Sequence, residues 1–145
     1  MSMCYNMVVT KIVTINSNQH KYSEDIIMAN FKKFSVSGTD RVELHDNLGL
    51  TGAEISVNYL PAGAAVPFVH CHKKNEEIYV ILEGKGVMTV DGEKVELAAN
   101  DFLRVAPSGK RQLSASSDTG IRYLCIQVKE NSLEGYTMDD GVVGE

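Results

Sequence analysis

The stretch EIYVILEGKGVMTVDGEKVEL, residues 77–97, reads as strand, break, strand, tight turn and strand. Glu77 to Leu82 is rich in β-branched and aromatic residues and stops at Glu83-Gly84. Val87 to Val90 and Lys94 to Leu97 flank Asp91-Gly92. That dipeptide suits a two-residue type I′ turn, because both central positions need φ > 0. Toward the N-terminus, Ile55, Val57 and Tyr59 alternate with Glu54, Ser56 and Asn58, a period of two that predicts a half-buried strand ending at Pro61-Ala62-Gly63. Toward the C-terminus, Asp101 to Val105 reads as a strand closed by Pro107 and Gly109, and Ile121 to Val128 as the last long one. Short strands at near-regular spacing with turn residues between them predict an all-β fold, an antiparallel sandwich or barrel.

The remainder is less decisive. Met7 to Ile15 (MVVTKIVTI) suits a strand, while residues 23–34, opening with Ser23, Glu24 and Asp25, suit either a short helix or an irregular arm. The chain of 145 residues has the size of a single domain, and 43% hydrophobic with 23% charged residues argues against disorder. With 14 Lys and Arg against 19 Asp and Glu, the net charge of −5 argues against a duplex-binding surface, which needs clustered cations. There is no apolar run long enough to cross a bilayer, and the first residues do not read as a signal peptide. Cys4, Cys71 and Cys125 are too few and too scattered for a disulfide framework, so a reduced, cytoplasmic setting is expected.

The chemistry concentrates in His70-Cys71-His72-Lys73-Lys74-Asn75-Glu76-Glu77. Side chains two apart on a strand share a face, so His70 and His72 can converge on one ion while Cys71 points the other way. A carboxylate five residues on, at the head of the next strand, can join them. Two histidines and one carboxylate leave positions open for water or substrate, which suits Lewis-acid or oxygen chemistry better than a closed structural site. The same histidines could also simply pair with neighbours in a pocket that holds no metal.

The pattern Gly63…His70-x-His72-x₄-Glu77-x₆-Gly84 resembles the first motif of the cupin family, and that resemblance picks Glu77 over Glu76. A second motif follows as Pro107-Ser108-Gly109-Lys110-Arg111-Gln112, with Gln112 standing where the family places its third histidine. The resemblance covers about residues 50–128. It implies a cupin-type jelly-roll β-barrel, with residues 1–49 as an N-terminal strand or arm and 129–145 as a tail. It further implies one divalent metal ion per subunit (Zn, Fe, Mn or Ni) held by His70, His72, Glu77 and Gln112, with a homodimer as the expected assembly. An amide oxygen is a weaker donor than imidazole, so Gln112→His is expected to strengthen the site.

A metal-dependent enzyme acting on a small polar substrate (a sugar, sugar acid or keto acid) is the first reading, isomerase- or epimerase-like or oxygenase-like, with Glu76 or Tyr79 as the proton-transfer group. The alternative is a non-catalytic small-molecule-binding barrel, a sensor or carrier. Neither reading calls for a nucleic-acid or membrane partner. Cys71 is expected to be a small buried residue, His20 and His45 to face solvent, and Lys73-Lys74 and Lys110-Arg111 to be solvated loop charges or a rim that draws in anions. Arg104, mid-strand, matters only if it points inward, where a guanidinium needs a partner.

Overall fold

The computed structural model describes residues 30–38, 41–135 and 140–144. The chain divides into Met1–Asn30 and Phe31–Glu145, and the second unit carries every element described below. The expected strand at Met7–Ile15 and His20 lie outside the described residues. Of the expected helix at 23–34, only residues 30–34 are described, and they are not helical.

Seven strands and one short helix run in the order β1 (Val42–Glu43), α1 (His45–Leu48), β2 (Glu54–Leu60), β3 (Asn75–Val90), β4 (Glu93–Ala98), β5 (Phe102–Val105), β6 (Arg111–Ala115) and β7 (Ile121–Lys129). All pairings are antiparallel. The fold is all-β, as the alternation and turns predict. The Asp91-Gly92 hairpin has φ of 51° and 89°, the left-handed pair that a type I′ turn requires.

The two strands expected at Glu77–Leu82 and Val87–Val90 are one 16-residue strand. Its first half pairs with β5 and β7, and its second half with β4 and β6, so β3 belongs to both layers of the barrel. The crossing happens at Ile81–Glu83, where the register with β7 slips, and at Gly84, whose φ is +75°. A Cβ on Gly84 would run into the backbone carbonyl of Gly120. The break signal in Glu83-Gly84 is therefore a kink within a strand and not its end. Gly84→Ala combines a left-handed backbone with a backbone clash, and the backbone strain alone costs about 1–3 kcal/mol. We expect at least that loss in urea unfolding, with the unfolding slope unchanged.

Between the layers lie Ile81, Met88, Leu113 and Ile121, each 0–2% exposed. One inner face departs from the expected alternation. On β2 the polar Ser56 and Asn58 are buried together with Val57, while Tyr59 is 39% exposed. Burial therefore does not alternate along 56–58, and the polar side of the strand looks inward.

Residues 63–70 run beside β6 in place of a regular strand. Val66 N–H donates to Leu113, and His70 and Arg111 exchange backbone hydrogen bonds at 3.1 and 2.8 Å. Bridges at Ala65↔Ser114 and His70↔Arg111 set five steps of this segment against three of β6, so it bulges at Pro67-Phe68-Val69. Pro67 has no N–H to continue the ladder.

Candidate metal centre

The segment beside β6 delivers the two histidines, and the head of β3 delivers the carboxylate. His72 Nε2 lies 3.0 Å from Glu77 Oε1, and His70 Nε2 lies 3.8 Å from Oε2. The two imidazole planes stand nearly perpendicular at 5.3 Å. One donor atom from each of the three residues falls within 4.8 Å of the others. His70 Nδ1 and His72 Nε2 are buried with no hydrogen-bond partner among the described residues. His72 Nε2, unpartnered yet facing the carboxylate, with His70 Nε2 on the same carboxylate, fits a cation better than a closed hydrogen-bond network. His70, His72 and Glu77 are thus the residues able to hold a divalent ion.

Glu77 is 2% exposed and held from several sides. The Tyr79 hydroxyl donates to Oε2 at 2.6 Å, and the Cys125 thiol donates to Oε1 at 3.4 Å. Arg111, 0% exposed, brings Nε to 3.4 Å from Oε2, and its Nη2 donates to the Ala106 carbonyl at 2.6 Å. Arg111 Nε and Nη1 have no hydrogen-bond partner among the described residues. Burial pushes the Glu77 carboxyl up, yet the Tyr79 and Cys125 hydrogen bonds, with the charges of His72 and Arg111, outweigh it and leave the group below its ordinary value. Burial likewise leads in lowering His70, favouring the neutral imidazole that a metal requires. The thiol of Cys125 is pushed up to about 12, first by burial and then by the Glu77 charge.

A hollow of about 420 Å³ opens beside the cluster, lined at one end by His70 and Glu77 and elsewhere by Tyr79, Tyr123, Phe68 and Arg41. Phe68 packs edge-on against His70 at 5.5 Å.

Comparison with known proteins places this arrangement. The profile of the cupin domain matches residues 56–127. The crystal structure of a cupin protein from Bacteroides fragilis is 68% identical, covers 81% of this chain and all of its own, and superposes with a TM-score of 0.79. The chain belongs to the cupin family. An uncharacterized protein of Methanocaldococcus jannaschii is 35% identical over 75 residues, 52% of this cupin and 59% of that protein's length. The sugar phosphate isomerase of Silicibacter pomeroyi shares the fold at 21% identity and a TM-score of 0.56, over 61% of this chain and 58% of its own.

In this cupin the expected fourth ligand is not brought to the cluster. Gln112 sits on the face of β6 opposite the buried Arg111 and Leu113, and its amide nitrogen donates to the Val66 carbonyl at 2.8 Å. It lines a separate hollow with Val69, Thr89 and Asp91. The reason is register. Lys110 is tied to Asp91 of the β3–β4 turn by Asp91 N–H to Lys110 carbonyl and Lys110 N–H to Asp91 carboxylate. With Lys110 pinned there, the next residue turns inward and the one after it turns away. Arg111, expected as a solvated loop charge, therefore occupies the interior position, while Lys110 is exposed as expected.

The two expected proton-transfer groups are not free in the hollow. Glu76 points to the outer face and pairs with Arg104, which also pairs with Glu130 at 3.0 Å. Arg104 thus faces outward. Tyr79 does face inward, but its proton is donated to Glu77, and burial first of all pushes the phenol far above its ordinary value. Cys71, expected to be buried, is exposed. His45 is exposed, 3.0 Å from Asp46, and Lys73 and Lys74 are exposed. Among the described residues, no helix is long and apolar enough to cross a membrane.

Proposed function

We propose that this cupin binds one divalent metal ion per subunit through His70, His72 and Glu77 and presents it to a small polar substrate in the adjoining hollow. The carrying observation is the convergence of one donor atom each from His70, His72 and Glu77 within 4.8 Å, with the unpartnered His72 Nε2 3.0 Å from the buried carboxylate. Zn, Fe, Mn and Ni all accept such donors, and the ion when bound supplies a Lewis acid that polarises a substrate oxygen. The chain's own residues do the rest. Tyr79 and Cys125 fix the Glu77 rotamer by donating to its two oxygens, and Phe68 holds the His70 ring. The walls are mostly apolar with few polar groups, as in sites for small organic molecules. A sugar, sugar acid or keto acid is the substrate class, with isomerisation or oxygenation as the reaction. A cytoplasmic homodimer is the setting that accompanies this reading.

One observation favours a second reading, a non-catalytic binding barrel. Neither Glu76 nor Tyr79 offers an unengaged base to the hollow. Metal content per subunit, measured by mass spectrometry on untagged protein purified without chelator, tests the metal itself. We expect near-stoichiometric metal in the wild type after reloading and loss of most of it in His72→Ala. Equal metal in both samples, or none in either, overturns the ligand assignment. Turnover of any sugar or keto acid by the loaded protein separates enzyme from carrier.

A further inference from the structure

We infer that the ligand of this hollow is a small carboxylate whose anionic end is held by Arg41, at the opposite side from His70 and Glu77. The inference rests on the reading of the hollow as the substrate site and narrows the substrate class to carboxylates held by Arg41.

Arg41 lies outside both motifs, immediately before β1, and lines the same hollow as His70 and Glu77. The strand order β1-β2-β7-β3 sets it three strand spacings from β3, roughly 14 Å across the sheet, and the register places it level with Ile81, four residues along β3 from Glu77. Both side chains reach into the space between, so a molecule lying across the hollow meets a guanidinium at one end and the histidine–carboxylate cluster at the other.

The guanidinium is held in place. Nη1 donates to Asn58 Oδ1 at 2.6 Å and Nη2 to Glu43 at 2.9 Å. Asn58 is itself oriented by Ser56, its amide nitrogen donating to the Ser56 carbonyl at 3.1 Å and hydroxyl at 3.0 Å. That orientation leaves Asn58 with its oxygen toward Arg41. Here the inverted face of β2 finds a reason, since Ser56 and Asn58 are buried where apolar side chains would stabilise more. The guanidinium uses two of its five N–H groups on these partners, one of them the exposed Glu43 carboxylate with which it forms an ion pair, and three N–H groups remain for a ligand. Fork geometry matches a carboxylate. Among the described residues Arg41 is the one Arg or Lys lining this hollow, and a single guanidinium already paired with Glu43 neutralises a phosphate dianion poorly. This favours a monoanion.

The test is calorimetric titration of the purified protein, before and after Zn²⁺ reloading, with three- to six-carbon 2-oxo and 2-hydroxy acids, each beside its amide, and with inorganic phosphate. Arg41→Gln keeps a donor for Asn58 and removes the charge. We expect acids, and not amides, to bind the wild type, and Arg41→Gln to weaken them about 10- to 100-fold, the value of a charge-assisted hydrogen bond. Metal content and melting temperature should be unchanged in the variant. Equal binding of acids to Arg41→Gln overturns the inference, as does preference for the amides or phosphate, or no acid binding at all. Acid binding that depends on Arg41 in a protein that takes up no metal retires the metal reading and leaves this inference standing.

Discussion

Arg111→His should tighten Zn²⁺ or Ni²⁺ binding on the order of 100-fold, while Gln112→His should leave it unchanged or weaker. Arg111 points inward with Nε 3.4 Å from Glu77 Oε2. An ion held by that carboxylate would lie roughly 5 Å from the guanidinium, where a fixed positive charge opposes a divalent ion by about 2–7 kcal/mol over effective dielectrics of 80 to 20. The low end of that range already exceeds one decade of affinity, at about 1.4 kcal/mol per decade, and the middle of it exceeds two. Histidine removes the charge and adds a donor. Its Nε2 is three bonds from Cβ, as is arginine Nε, so the new nitrogen falls close to the position that Nε holds now. Gln112→His changes a side chain on the other face of β6 and forfeits the bond to Val66, worth about 1 kcal/mol. Competition against a fluorescent chelator measures both variants in one experiment. An unchanged affinity in Arg111→His, with the protein folded by circular dichroism, would show that the guanidinium does not face the ion. Tighter binding in Gln112→His would restore the motif-based assignment.

That pair of variants also marks where the sequence stops being legible. Strand existence was readable because β-branched runs and turn dipeptides are local signals, and Asp91-Gly92 is the clearest of them. The convergence of His70, His72 and Glu77 was readable because spacing fixes which side chains share a face. Facing on β6 was not. Counting residues from Pro107 puts Gln112 at the third-ligand place, but the tie between Lys110 and Asp91 comes from a hairpin distant in sequence and shifts the parity by one. A signal was nonetheless present, since Arg111, Leu113 and Ala115 share parity and two of them are apolar. The β2 face failed differently. Apolar periodicity finds the buried side of a strand that packs on a core, whereas Asn58 lines a hollow beside the Arg41 guanidinium and Ser56 is spent orienting Asn58. Likewise Glu83-Gly84 is a break in propensity that the backbone uses as a crossing between sheets.

Removing the charge of Glu77 should cost more stability than any other single change at the site. Glu77→Gln keeps the shape and the acceptor for Tyr79 but leaves Arg111, fully buried, without its counter-charge. Breaking a buried pair from one side typically costs about 3–5 kcal/mol, because the remaining ion pays desolvation with nothing to offset it. Removing both charges is a different perturbation. In Glu77→Gln/Arg111→Met the thioether fills most of the guanidinium's volume without a charge, so the double variant should recover much of the loss. Arg111→Met alone leaves a carboxylate still accepting from Tyr79 and Cys125, and should cost less than Glu77→Gln. Urea unfolding of the four metal-free proteins gives the coupling energy directly, and a value near zero would mean that Arg111 and Glu77 do not sense one another. A large coupling with metal uptake retained in Arg111→Met would place the arginine, beside Tyr79 and Cys125, among the groups that keep the empty carboxylate ionised inside the barrel. It would also explain how a site short of one ligand stays folded before any ion arrives.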